Sequence, residues 1–221
     1  MEKILEIKNA TKVVKDKILL DEINLEVYRG DIVGIVGRNG SGKTVLFKCI
    51  CGFMKLTSGE IWVNEKEIGK GGRLAEGTGI IIENPGFLPS YSGYRNLLFL
   101  AGVRKKIGKH EVRAVMELVG LDSDNRKPVR TYSMGMKQRL AIAQAIMEDQ
   151  ELLILDEPMN GLDNSGVEEV RRLLLELREK GKTILIASHI REDIDILCDS
   201  VYEMEQGKMK LQSQKKTKDK Y

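Results

Sequence analysis

Cysteine is scarce, with three among 221 residues, at positions 49, 51 and 198. So odd and sparse a set argues against a disulfide framework, and Cys49 and Cys51 would point to different faces of a helix, which argues against a metal pair. They read as small apolar core residues in a reducing compartment. Neither sign of charge dominates: 36 basic against 33 acidic side chains leave +3, too weak a field to argue for nucleic acid. Long apolar runs are missing. Stretches such as Leu152–Leu155 and Ile184–Ala187 fall well short of the roughly 18 to 20 residues a membrane span needs. Met1 leads into Glu2 and Lys3 rather than the apolar stretch of a secretory signal, so a cytoplasmic chain is expected. No solenoid-period repeat and no run of coiled-coil heptads is visible.

What remains is 42% hydrophobic content, enough for a buried core in one large domain or two small lobes. Ile23, Leu25 and Val27 alternate with Asn24, Glu26 and Tyr28 before Arg29-Gly30-Asp31, which predicts antiparallel strands and a turn. Ile32 to Val36 is a short β-branched run entering a glycine-rich loop, and Thr44 to Ile50 has helical spacing. Ser58-Gly59 opens a second hairpin, and Thr78 to Ile82 reads as a buried strand. From about Tyr94 to Gly120 the spacing turns helical, with Val112, Val115, Met116 and Val119 on one face and Gly120 as a stop. After Pro128 the order is a helix from about Gly135 to Met147, a strand at Leu152–Asp156, a helix carrying Val167, Val170, Leu174 and Leu177, and a strand at Thr183–Ala187. Alternating strands and helices predict a parallel sheet with right-handed crossovers. The lysine-rich segment from Lys208 onward reads as frayed and solvated.

Three segments carry chemistry. Gly37-Arg38-Asn39-Gly40-Ser41-Gly42-Lys43-Thr44 fits the phosphate-loop pattern between a predicted strand and helix. Its glycines let backbone N–H groups converge on phosphate, the helix N-terminus adds its dipole, Lys43 reaches the β and γ phosphates and Thr44 offers a hydroxyl to Mg²⁺. Leu152–Leu155 then delivers Asp156 and Glu157 to the C-terminal edge of a sheet, where α/β ligands bind. Asp156 is the expected metal-side carboxylate, and Glu157 the general base or water-positioning group for in-line attack. These two segments admit any nucleotide kinase, GTPase or helicase.

The third, Tyr132-Ser133-Met134-Gly135-Met136-Lys137-Gln138-Arg139, resembles the signature of the ATP-binding-cassette family, L-S-G-G-Q followed by basic residues. Ser133 and Gly135 match it, while Tyr132, Met134 and Met136 depart from it. The resemblance runs from about Ile4 to Met209 and includes Gly161-Leu162-Asp163 as a D-loop and Ser188-His189 as a switch histidine. It implies a P-loop NTPase of the α/β class with a mostly parallel sheet, an N-terminal antiparallel β subdomain and an inserted helical lobe. The expected layout is a single domain, 1–221, with an ATP-binding core over about 1–86 and 141–210, the lobe over about 87–140 and a flexible tail at 211–221. The resemblance further implies that two cassettes, a homodimer or a paralogous pair, bind ATP and Mg²⁺ head to tail. Ser133 and Gly135 of one would meet the γ phosphate held by Lys43 of the other, and His189 would contact the γ phosphate of its own site. A helix N-terminus bearing a serine suits such a role. An integral membrane permease subunit is the implied partner, with the chain peripheral on the inner face of the membrane and no nucleic acid bound.

Two positions depart from the family pattern. Glu83, in Ile82-Glu83-Asn84-Pro85, stands where a Gln usually contacts the metal and senses the membrane partner, and it is expected to keep both roles. Val14 stands where an aromatic usually stacks on adenine, so weaker base discrimination than usual is expected. The segments 83–87, 134–139 and 156–163 together resemble the branch of bacitracin-type and lantibiotic self-protection exporters. The competing readings are a soluble cassette ATPase acting on nucleic acid or ribosomes and a regulatory ATP-binding module without turnover. The first lacks the coiled-coil insertion or second cassette its relatives carry. The second is disfavoured by the presence of Lys43, Asp156, Glu157 and His189 together.

Overall fold

The computed structural model describes residues 2–83 and 86–215. Met1, Asn84, Pro85 and 216–221 lie outside the described residues. Two 12-residue strands, β1 (Lys3–Val14) and β2 (Lys17–Tyr28), open the chain as an antiparallel hairpin. The phosphate-loop strand β3 (Ile32–Val36) follows, then α1 (Lys43–Ile50), β4 (Ser58–Val63), the short β5 (Lys66–Glu67) and β6 (Thr78–Ile81). A four-stranded antiparallel sheet, ordered β2-β1-β4-β5, forms the N-terminal subdomain. The second hairpin turns at Asn64 and Glu65, both with positive φ.

The helical lobe comprises α2 (Gly93–Arg104) and α3 (Lys109–Leu118), and α4 (Met134–Ile146) returns the chain to the core. Ser92 caps α2 by accepting from Arg95 N at 3.3 Å. Val112, Val115 and Met116 of α3 are buried and Val119 follows them, as their shared face requires. Lys105, at φ +55, ends α2 in the left-handed conformation usually given to glycine. The helical stretch is therefore two helices.

Then come β7 (Leu152–Asp156), α5 (Asn164–Glu179), β8 (Thr183–Ala187), α6 (Arg191–Leu197), β9 (Ser200–Glu205) and β10 (Lys208–Gln214). The main sheet is ordered β10-β9-β3-β8-β7-β6. It is parallel except for β10, which is antiparallel to β9. Period-2 side-chain alternation divides its buried residues between two cores. Leu153, Leu155, Ile184 and Ile186 join the core under α4, α5 and the lobe. Leu152, Ile154, Leu185 and Ala187 join the core shared with α1 and the antiparallel sheet. Burial on both faces explains the unbroken apolar runs of β7 and β8.

One expectation is corrected. The segment read as a flexible tail forms strand β10 as far as Gln214. Lys210 pairs with Glu203 at 3.0 Å, and the lysines sit on an exposed edge strand, where they discourage further strand pairing. The three cysteines are buried and free. Burial pushes their thiols up, to about 11 for Cys49 and about 12 for Cys51 and Cys198, which leaves them inert.

Candidate functional site

The loop from Gly37 to Gly42 leaves β3 and turns directly into α1. Gly37, at φ +157, could not carry a side chain, because a Cβ there would lie 2.2 Å from Met204 O. Gly42, at φ +116, would place one 2.9 Å from Leu19 O. The glycines thus let the loop close against β9 and the β1–β2 hairpin. Lys43 is buried and donates from Nζ to Gly37 O at 2.6 Å and to Arg38 O at 3.3 Å, folding its ammonium back over the loop. Among the described residues, Ser41 Oγ is buried without a hydrogen-bond partner. A buried hydroxyl costs free energy unless it is bonded, so this orphan fits a loop built to receive phosphate oxygens.

At the head of α1, Thr44 Oγ1 donates to Asp156 Oδ2 at 2.7 Å. Burial holds the Asp156 carboxyl above its ordinary value, against the opposing pull of the Thr44 hydrogen bond and the Lys43 charge. A half-buried carboxylate beside a hydroxyl is the donor set expected for Mg²⁺, which keeps several waters and takes one or two carboxylates plus substrate phosphates. The residues present therefore fit the ion, even though no cluster of three or more His, Cys, Asp or Glu is found among the described residues.

Glu157 adopts φ +51, a left-handed conformation that costs a non-glycine residue roughly 1–2 kcal/mol. It is held there by its own N–H donating to Ala187 O at 2.9 Å. Its Oε2 lies 2.8 Å from His189 Nδ1 and accepts from His189 N at 3.4 Å. Adjacent strands β7 and β8 thus deliver Asp156, Glu157 and His189 to one sheet edge beside the phosphate loop, as their spacing predicts. A cleft of about 850 Å³ runs past Ile18, the loop from Asn39 to Thr44, Glu83, Asp156 and Glu157. A second, of about 920 Å³, lies on the other side of the loop against Arg38, His189 and Glu203.

Glu83 lines the first cleft, but its Oε1 is paired with Lys48 Nζ of α1 at 2.7 Å. Val14 lines neither cleft; Ile18 and Leu19, on the partner strand of the same hairpin, line the first beside the loop. Ser133 caps α4 by accepting from Met136 N at 3.1 Å. Ser133 and Gly135 line neither cleft, although Met134 and Gln138 reach the first.

The departures from the signature pattern each have a packing partner. Tyr132 is buried, and its hydroxyl accepts from Gly93 N at 3.1 Å. Met134 lies over Gly161, where an added Cβ would sit 2.5 Å from Met134 Cγ. Met136 packs on the core beneath the lobe. Sequence reasoning missed Lys48 and Gln138, because only the fold brings them to Glu83 and Glu157.

This geometry has counterparts in known proteins. A family model described as ABC transporter matches residues 20–160. The chain belongs to the ABC transporter family, as an ATP-binding subunit. The bacitracin transport ATP-binding protein BcrA of Enterococcus faecalis is 43% identical over 211 residues, covering 94% of this chain and 68% of that protein. The lantibiotic transport ATP-binding protein SrtF of Streptococcus pyogenes is 32% identical over 96% of this chain and 91% of its own length. Among solved structures, cbiO1 from Clostridium perfringens, part of the ABC transporter complex cbiONQ, is 33% identical with a TM-score of 0.81, covering 97% of this chain and 89% of that one. The cassette is an ATPase, and among its described residues no helix is long and apolar enough to cross a membrane.

Proposed function

We propose that two cassettes close head to tail on ATP and that their turnover drives a separate membrane permease that exports an antimicrobial peptide or drug. The observation that carries the catalytic part is the 2.8 Å contact between Glu157 and His189, beside the hydrogen-bonded Thr44 and Asp156. Lys43 and the loop amides bind the β and γ phosphates, and Ser41 Oγ gains an acceptor. Glu157 accepts the proton of a water whose oxygen attacks the γ phosphorus, and the bond to ADP breaks as inorganic phosphate forms. His189 holds the Glu157 carboxylate in line and meets the γ phosphate. Mg²⁺, held by Thr44 and Asp156 with Glu83 beside them, would neutralise phosphate charge. Ser133 and Gly135 would supply the N-terminus of α4 to the nucleotide held by the second cassette.

An apolar groove of about 450 Å³ beside the lobe supports a permease contact. It is lined by Phe53, Ile80, Ile82, Leu100 and Val103, of which Val103 is 78% exposed. Ile82 directly precedes Glu83, so a helix seated there would bear on the metal side of the site. A cytoplasmic, membrane-peripheral location follows from that partnership. The direction and cargo rest on the bacitracin and lantibiotic transport relatives. The test is susceptibility to peptide antibiotics in cells carrying this gene with its neighbouring permease gene. Wild type should raise the inhibitory concentration of bacitracin or a lantibiotic, and Lys43→Ala should abolish the rise. Equal protection by both would defeat the reading.

A further inference from the structure

Glu157 is held by more than its own strand. Its left-handed turn continues through Pro158, which brings no N–H, with Asn160 N donating to Glu157 O at 3.1 Å and Leu162 N to Met159 O at 3.2 Å. The remaining ties come from another element. Gln138 Nε2, on α4, donates to Pro158 O at 2.8 Å and to Glu157 O at 3.3 Å. Two carbonyl acceptors use both hydrogens of one amide nitrogen, so the side chain acts as a double donor clamping the backbone of the catalytic turn. Met134, one turn earlier on α4, lies over Gly161 at the far end of the same turn. The first turns of α4 therefore hold the 157–161 segment at both ends.

From this geometry we infer that Gln138 is a positioning residue for Glu157, linking the nucleotide bound at the Ser133 end of α4 to the catalytic turn of the same chain. The inference rests on the composite-site reading above. There, Ser133 meets the nucleotide held by the second cassette, while Glu157 acts on the nucleotide of its own phosphate loop. Gln138 lies five residues along the helix from Ser133, about 7.5 Å of rigid rise. A displacement of the helix N-terminus on phosphate binding is carried at that distance to the backbone of Glu157. Each site thereby reports its occupancy to the base of the other.

Three variants of the full chain separate donation from packing. Gln138→Leu keeps bulk and removes the donors, Gln138→Glu keeps shape and puts acceptors against the two carbonyls, and Gln138→Lys restores donors alone. Leu and Glu should lower kcat about tenfold or more with KM for ATP within about twofold, the pattern of a lost transition-state arrangement, while Lys stays within about threefold of wild type. Amide hydrogen exchange gives a readout independent of turnover. In the Glu157→Gln background, ATP with Mg²⁺ should slow exchange at Asn160 N–H, and adding Gln138→Leu should abolish that slowing although the ATP-dependent dimer still forms. Unchanged kcat in Gln138→Leu, a Lys variant as impaired as Leu, or ATP protection of Asn160 that survives Gln138→Leu would each overturn the inference. If Glu157→Gln alone fails to dimerise, the composite-site reading fails. Positioning by Gln138 is then decided by kcat and by Asn160 exchange in the nucleotide-free chain.

Discussion

Replacing Arg171 by Met should destabilise the cassette far more than loss of a surface charge. Arg171 lies on α5 and is 5% exposed. Its Nε and Nη2 reach Asp193 Oδ1 of α6 at 2.9 and 2.6 Å. Its bonds to Glu168 at 2.7 Å and Glu192 at 3.0 Å involve acids mostly exposed to solvent, and such contacts are worth about 0–1 kcal/mol each. Asp193 differs, because it is fully buried. Without Arg171 its carboxylate keeps Ser188 Oγ at 3.3 Å as its hydrogen-bond partner, and stranding one partner of a buried pair costs about 3–5 kcal/mol. At about 2–4 °C per kcal/mol for a chain of this size, Tm should fall by roughly 6–20 °C. Calorimetry or urea unfolding measures it. The double variant Arg171→Met with Asp193→Leu removes both charges and should recover most of the loss, giving a coupling of at least about 2 kcal/mol. A loss under about 1 kcal/mol in the single variant, or a double variant no more stable than it, would refute the reasoning. Because Ser188 Oγ also accepts from Ile190 N at 3.1 Å, the same pair supports the loop that presents His189, so ATPase activity should fall with it.

Asp156→Asn should raise the Tm of the nucleotide-free cassette at pH 7 while abolishing Mg²⁺-dependent ATP turnover. Burial raises the Asp156 carboxyl in the fold, so its contribution to stability is present below the ordinary carboxylate range and is lost as pH rises through the folded value. The gain in Tm should therefore vanish on acidification below that range; a gain independent of pH would contradict this. Tyr132→Phe removes the acceptor for the buried Gly93 N–H and should cost about 1–3 kcal/mol in urea unfolding; a neutral change would show that this bond does not hold the lobe to α4. Glu83→Ala should uncouple ATPase activity from the permease while ATP binding persists, and transport-linked turnover equal to wild type would exclude a coupling role.

Much of this architecture is legible in the sequence because its signals are local. Strands β3, β7 and β8 keep their residue bounds, since doubly buried parallel strands are short unbroken apolar runs flanked by polar residues. The phosphate loop and the Asp156–Glu157 pair follow from motif and strand placement. Other features depend on tertiary contact. The end of α2 falls on Lys105, a non-glycine residue with positive φ that carries no residue-type signal. Helix α6 has seven residues, too few to show a period. Strand β10 is exposed on nearly all of its length, so it has no alternation to read, and its lysines mimic a solvated tail. Met134 and Met136 break the signature pattern, yet they fill space over Gly161 and beneath the lobe, which a linear comparison cannot display. The pairing of Glu83 with Lys48 likewise joins residues 35 positions apart.

The most direct measurement is the solution mass of the Glu157→Gln cassette by size-exclusion chromatography with light scattering, with and without ATP and Mg²⁺. With hydrolysis blocked and the phosphate loop, Ser133 and Gly135 intact, the mass should double on adding ATP and return to the monomer value when Ser133→Arg is introduced. A cassette that binds ATP yet keeps the monomer mass, or a dimer indifferent to ATP and to Ser133→Arg, would contradict nucleotide sites shared between two chains.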